Sequence, residues 1–110
     1  MEIFESRQND ICIFSIHGRL DSNTSAELDK RILLSLDNGA KHIIMECKQM
    51  DYITSAGLRI VVKTAKKMKS GSGQFILCAM ADYVREIFEI AGFDRFLPIV
   101  PTLEDALKKI

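Results

Sequence analysis

Thr54 and Ser55, within the stretch Met50-Asp51-Tyr52-Ile53-Thr54-Ser55-Ala56-Gly57-Leu58-Arg59-Ile60-Val61-Val62, are the residues best placed to do chemistry. An apolar run, Ile43-Ile44-Met45, ends shortly before them, and a helix-period pattern starts at Leu58 and recurs at Val61, Val62, Ala65 and Met68. They therefore stand where a loop feeds a helix, and the first backbone N–H groups of a helix have no partner within it. One hydroxyl can accept from those donors as the cap. The other then occupies the first helical position, close to the partial positive charge of the helix end and flanked only by Ala56 and Gly57. The chemistry open to it is acceptance of a phosphoryl group. Capping alone also accounts for both hydroxyls, so the motif gains weight only from its surroundings.

A second candidate is Asp21, in Gly18-Arg19-Leu20-Asp21-Ser22-Asn23-Thr24-Ser25-Ala26-Glu27. It follows an expected central strand, at the end where loops of α/β sheets carry function; the plainer reading is a turn-forming Asp bonded to its own backbone. Arg59, Lys63, Lys66 and Lys67 fall at i, i+4, i+7 and i+8, roughly opposite the apolar stripe of the expected helix. Such a stripe is a solvated face or a docking surface for an acidic partner beside Ser55.

Other chemistries find little support. His17 and His42 have no second ligand at metal spacing. Cys12, Cys47 and Cys78 lie inside or at the ends of apolar runs without Cys-x-x-Cys spacing, and read as buried, reduced thiols rather than phosphocarriers. A serine hydrolase needs a base and an oxyanion site, and the elbow Gly-x-Ser-x-Gly is absent because residue 53 is Ile. No phosphate loop of the Gly-x-x-x-x-Gly-Lys kind occurs. The chain is expected to be no enzyme, with no catalytic residue, cofactor or metal of its own.

The elements that must hold these residues read in order. Residues 2–7 and 11–17 are two strands around an Asn9-Asp10 turn. A polar loop over 18–23 leads to a helix opened by a capping box, Thr24 with Glu27, and closed by Asn38-Gly39 after Leu28, Ile32, Leu33 and Leu36 have formed its buried stripe. A strand over 42–47, the focal loop, and a helix over 55–69 follow, broken by Ser70-Gly71-Ser72-Gly73. Next come a strand over 74–79 and a helix capped by Asp82, with Val84, Ile87, Phe88 and Ala91 buried and Gly92 as its stop. Residues 96–100 are expected as a short edge strand, and Thr102 with Asp105 opens a last helix. Alternating strands and helices imply right-handed crossovers, hence one α/β domain over residues 1–110 with a mixed, mostly parallel sheet of four or five strands and about four helices. Asp21 and Thr54-Ser55 should then meet on one rim of the sheet.

Totals bound the partners. Fifteen basic residues balance fifteen acidic ones among 110, which gives no net field for nucleic acid or an anionic membrane. The first residues, Met1-Glu2-Ile3-Phe4-Glu5, are acidic without a long apolar core, and with the odd cysteine count they suggest the cytoplasm. The longest apolar run, 75–81, is too short to cross a bilayer.

With these residues in view, the sequence resembles the STAS domain family, named for sulphate transporters and anti-sigma factor antagonists. Gly18-Arg19-Leu20-Asp21, Met50 through Leu58, and Phe75-Ile76-Leu77-Cys78 with Val84-Arg85-Glu86-Ile87-Phe88 carry the match, and its size is similar to the bacterial antagonists. The resemblance implies that Ser55 is the phosphoacceptor, with Thr54 a weaker candidate, and that Asp21 belongs to the partner surface. That surface extends by the same resemblance over Ser22, Thr24, Thr54, Ser55, Gly57, Leu58 and Arg59. Many antagonists carry Asp before the acceptor, where this chain has Thr54. The implied partners are an anti-sigma factor serine kinase and a serine phosphatase, without nucleic acid or membrane insertion. The alternative is a non-phosphorylated STAS subunit of a signalling scaffold or lipid-transport complex.

Overall fold

The structure, a computed structural model, describes residues 2–110. Asn9 reverses the chain at its start, with a φ of 55° that Asn tolerates better than most residues. Strands β1 (Glu2–Gln8) and β2 (Ile11–Leu20) accordingly pair antiparallel, Gln8 opposite Ile11. β2 does not stop near His17 but continues through the expected loop to Leu20, because its two ends have different partners. Residues 11–15 pair in parallel with β3 (His42–Glu46), and residues 18–20 pair in parallel with β4 (Met50–Ile53). Gly18, at φ 98°, takes up the register shift between the two.

β4 replaces the first part of the expected focal loop. Only Met50 and Ile53 of its four residues are buried, so no two-residue alternation announces it. β5 (Phe75–Cys78) and β6 (Ile99–Val100) complete a six-stranded sheet in the order β1-β2-β3-β5-β6, with β4 beside β2 and only β1 antiparallel. The sheet thus exceeds the expected four or five strands by β4. β6 is shorter than expected: Phe93–Arg95 forms a 3-10 turn and only Ile99 and Val100 pair, with the Pro98 carbonyl accepting from Leu77 N–H at 2.9 Å.

Four helices cover the sheet: α1 (Ser22–Asp37), α2 (Ser55–Lys69), α3 (Asp82–Ile90) and α4 (Leu103–Lys108). Leu28 and Ile32 of α1, Val61 and Met68 of α2, and Val84 and Phe88 of α3 join Phe14, Ile16, Ile43, Met45 and Leu77 in the larger core. α4 lies on the other face, where Ala106 joins Ile13, Ile44, Ile76 and Val100. Alternate residues of β2 and β3 serve the two cores, which is why these strands read as continuous apolar runs.

Caps decide where the helices begin. Thr54 caps α2 and Thr102 caps α4, as their hydroxyls predict. α1 departs from expectation: Asp21 is its cap and Thr24 is the return partner of the box, not its opening residue. The extension of β2 to Leu20 leaves Asp21 as the first extended residue beyond the strand, so the helix starts a turn early. α3 departs too. Its cap position is Ala81, without a side-chain bond, and Asp82 is the first helical residue, where its carboxylate acts only through the charge of the helix end.

Cys12, Cys47 and Cys78 are free and buried. Burial, with nearby carboxylates, pushes the thiol of Cys12 up to about 11 and that of Cys78 up to about 12, and burial raises Cys47 as well. At neutral pH they are protonated, and a thiol is a weak nucleophile.

Candidate functional site

One backbone carbonyl organises the rim. Leu20 O accepts the Thr54 N–H at 3.0 Å and the Thr54 hydroxyl at 3.2 Å. The same hydroxyl oxygen accepts the Gly57 N–H at 3.4 Å and so caps α2. Gly57 is required by this approach: a Cβ there would stand 2.6 Å from Leu20 O and 2.7 Å from Ile53 Cγ1. The end of β2 and the first turn of α2 are thereby locked together, and parallel register sets Arg19 opposite Tyr52 and Leu20 opposite Ile53. The residues that follow these pairs are Asp21 and Thr54. The expected rim therefore forms, though β4 rather than β3 delivers the chain to α2.

The two hydroxyls differ in what is left to them. Thr54 is half-buried, donating to Leu20 and accepting from Gly57. Ser55 is exposed at the first position of α2, and its hydroxyl has no hydrogen-bond partner among the described residues. It is the free hydroxyl of the pair.

Asp21 divides its carboxylate. Oδ1 accepts from Asn23 N–H at 3.1 Å, Thr24 N–H at 3.2 Å and the Thr24 hydroxyl at 2.7 Å, whereas Oδ2 makes no bond within the described residues. The Thr24 hydroxyl first, and then the two N–H groups and Arg19, hold the carboxyl below its ordinary 3.8. Folding therefore favours the ionised form, and the stability it adds is complete above pH 3.8 and is lost as pH falls through the lowered folded value. An Asp21→Asn variant keeps an acceptor oxygen but cannot ionise. Its urea midpoint should lie below that of the wild type at neutral pH, and the two should converge in acid; equal midpoints at neutral pH would show that the charge adds nothing to the cap.

Ser22, Ser55 and Arg59 are exposed and Leu58 is half-buried, so these are available to a partner together with Asp21 Oδ2. Thr24, 4% exposed, and Gly57 are buried. They shape the rim from below. Sequence reasoning passed over Arg19 and Tyr52, whose guanidinium sits 5.1 Å from the ring centroid on the outer side of the β2–β4 pair. The exposed aromatic inside the focal stretch was the available signal. On the Asp21 side a cleft of about 560 Å³ includes Glu2, Phe4, Asp21, Glu27 and Arg31 in its walls; on the Ser55 side a groove of about 540 Å³ follows α2. The first is rich in carboxylates and the second in cations. Among the described residues, no group of His, Cys, Asp and Glu is arranged to hold a metal, and no helix is long and apolar enough to cross a membrane.

The fold recurs in known proteins. The profile of the family described as STAS domain matches residues 5–106. BtrV of Bordetella bronchiseptica, whose name proposes an anti-sigma factor antagonist, is 30% identical over 96% of this chain and 91% of its own. The crystal structure of TM1081 from Thermotoga maritima, also a proposed anti-sigma factor antagonist, matches with a TM-score of 0.92 at 20% identity, covering 98% of this chain and 93% of that one. The anti-sigma factor antagonist SpoIIAA in its unphosphorylated form matches with a TM-score of 0.85 at 19% identity, covering 98% and 95%. At those identities the two structures establish the fold.

Proposed function

This chain belongs to the STAS domain family, and on that premise we propose that it is an anti-sigma factor antagonist working by partner switching. Its unphosphorylated form binds an anti-sigma factor that is also a serine kinase and so releases a sigma factor. Phosphorylation of Ser55 by that kinase ends the binding, and a serine phosphatase resets the cycle, which runs in the cytoplasm. The chain supplies a hydroxyl at a fixed place. Nucleotide, metal and catalytic groups belong to the kinase, since phosphoryl transfer needs chiefly positioning and charge stabilisation around the transferred group.

One observation carries the choice of residue: Ser55 is exposed and unbonded among the described residues, while the neighbouring Thr54 hydroxyl is engaged as donor and acceptor. A phosphoryl group on Thr54 would break the bond to Leu20; on Ser55 it would break none. The partner surface is then Ser55, Leu58, Arg59, Ser22 and the free oxygen of Asp21. Peptide mass spectrometry across residues 50–63 of protein purified from its native cells tests the reading. Phosphate is expected on Ser55 and should vanish in a Ser55→Ala strain. A peptide that stays unmodified under every growth condition, or phosphate confined to Thr54, would overturn it.

A further inference from the structure

From the rim onward, α2 forms the wall of a trough whose near end, at Ser55, Leu58 and Arg59, belongs to the proposed partner surface and whose remainder does not. Its near half, of about 540 Å³, has Leu58, Val62 and Phe93 as its apolar lining; its far half, of about 580 Å³, has Ala65, Met68, Phe75, Phe96 and Leu97, and the halves meet at Lys66. The opposite wall is an aromatic series. Phe93 packs edge-on against Phe96, with centroids 5.6 Å apart, and against the fully buried Phe88 at 6.4 Å. This anchors the wall in the core while leaving Phe96 half exposed.

The rim of the trough is cationic throughout. Arg59, Lys63, Lys66, Lys69 and Arg95 line its two halves, and no carboxylate does. Lys63 alone of these five is ion-paired, to Asp29 at 2.8 Å; the other four have no carboxylate within 4.0 Å among the described residues. In a chain whose net charge is zero, this is a local surplus around an apolar floor. The backbone in the walls is already committed: α2 is helical, and β5 is flanked by β3 and β6. An extended peptide would find no free strand edge here. A helix needs none, and α2, with 15 residues, offers a seat about 22 Å long.

We propose that this trough is the docking site for an acidic amphipathic helix of a protein partner, with its apolar stripe against Leu58, Val62, Phe93 and Phe96 and its carboxylates between the five cations. The site adjoins the proposed partner surface at Leu58 and Arg59, and a phosphoryl group on Ser55, which lines the near half, would set negative charge at that end and weaken binding of an acidic helix. An anionic membrane shares the charge but fits less well. Leu58, Val62 and Phe93 are half-buried between exposed cationic side chains and Phe96 alone of the stripe stands out, whereas a bilayer is met by several apolar groups that protrude together.

The test is a heteronuclear NMR titration of the full chain with a synthetic helical peptide carrying Leu at i, i+3, i+4 and i+7 and Glu on both flanks. Saturable shifts are expected in the amides of α2 and of residues 93–98. The same peptide with Lys in place of Glu should produce none, and Lys66→Glu combined with Lys69→Glu should weaken binding about tenfold. The proposal is overturned by absence of saturable shifts, by equal binding of the Lys peptide, or by shifts at the trough that appear with anionic phosphatidylglycerol vesicles and not with the Glu peptide.

Discussion

Ser55→Asp should unfold within about 4 °C of the wild type and bind the anti-sigma factor kinase about a hundredfold more weakly. The first half follows from what Ser55 does for the fold, which is little: its side chain is exposed and, among the described residues, makes no hydrogen bond that the substitution could remove. A carboxylate at the first position of α2 meets the positive end of the helix and gains roughly 0.3 to 1 kcal/mol. The second half follows from desolvation. A hundredfold loss needs only about 2.8 kcal/mol, and a new charge buried unpaired against a partner can cost several. Phosphoserine carries about −1.5 to −2 charge, so modification should act more strongly than Asp. Calorimetric titration with the purified kinase checks this. A folded Ser55→Asp protein with wild-type affinity would remove Ser55 from the interface, and Ser55→Ala should keep its affinity within a few-fold.

Gly57→Ala should cost about 2 kcal/mol and lower Tm by about 10 °C. The sign is decided by two opposing effects. In an open helix the change gains about 1 kcal/mol from propensity. Here the new Cβ would lie 2.6 Å from Leu20 O and 2.7 Å from Ile53 Cγ1, so α2 must move off β2 and strain both bonds from Thr54 to Leu20. Overpacking of that kind costs about 1 to 3 kcal/mol, and a backbone obstacle puts it at the upper end. Thermal unfolding measures the balance. A Gly57→Ala protein as stable as the wild type would mean that the helix start is free to shift, and that Leu20 does not fix it.

How much of this was written locally in the chain varies by element. The Asn9 turn, the Thr54 and Thr102 caps and the apolar faces of β3 and β5 depend on neighbours within a few residues, and the sequence shows them. β4 depends on a partner far away. Asp51 and Tyr52 are both exposed, so nothing in four residues distinguishes a strand from a loop until β2 is beside it. The same long-range pairing carries β2 through Gly18, and it selects Asp21 over Thr24 as the cap of α1 although both satisfy the local rule. At the rim, the hydroxyl pair was legible as one cap and one free group. The bonds that occupy Thr54 were not, because one of them reaches Leu20, 34 residues away. The trough needed Phe93 and Phe96 to be set against α2, and no periodicity links those segments.

The contact between Gly57 and Leu20 also fixes what variation the chain can absorb. When two side chains crowd each other, a second substitution can relieve the first. Here the nearest obstacle is a carbonyl oxygen, which every amino acid at position 20 would present in the same place. Trimming Ile53 would open space on one side only. A larger residue at 57 therefore has no suppressor at position 20, and a screen for compensating changes should recover mainly reversion to glycine.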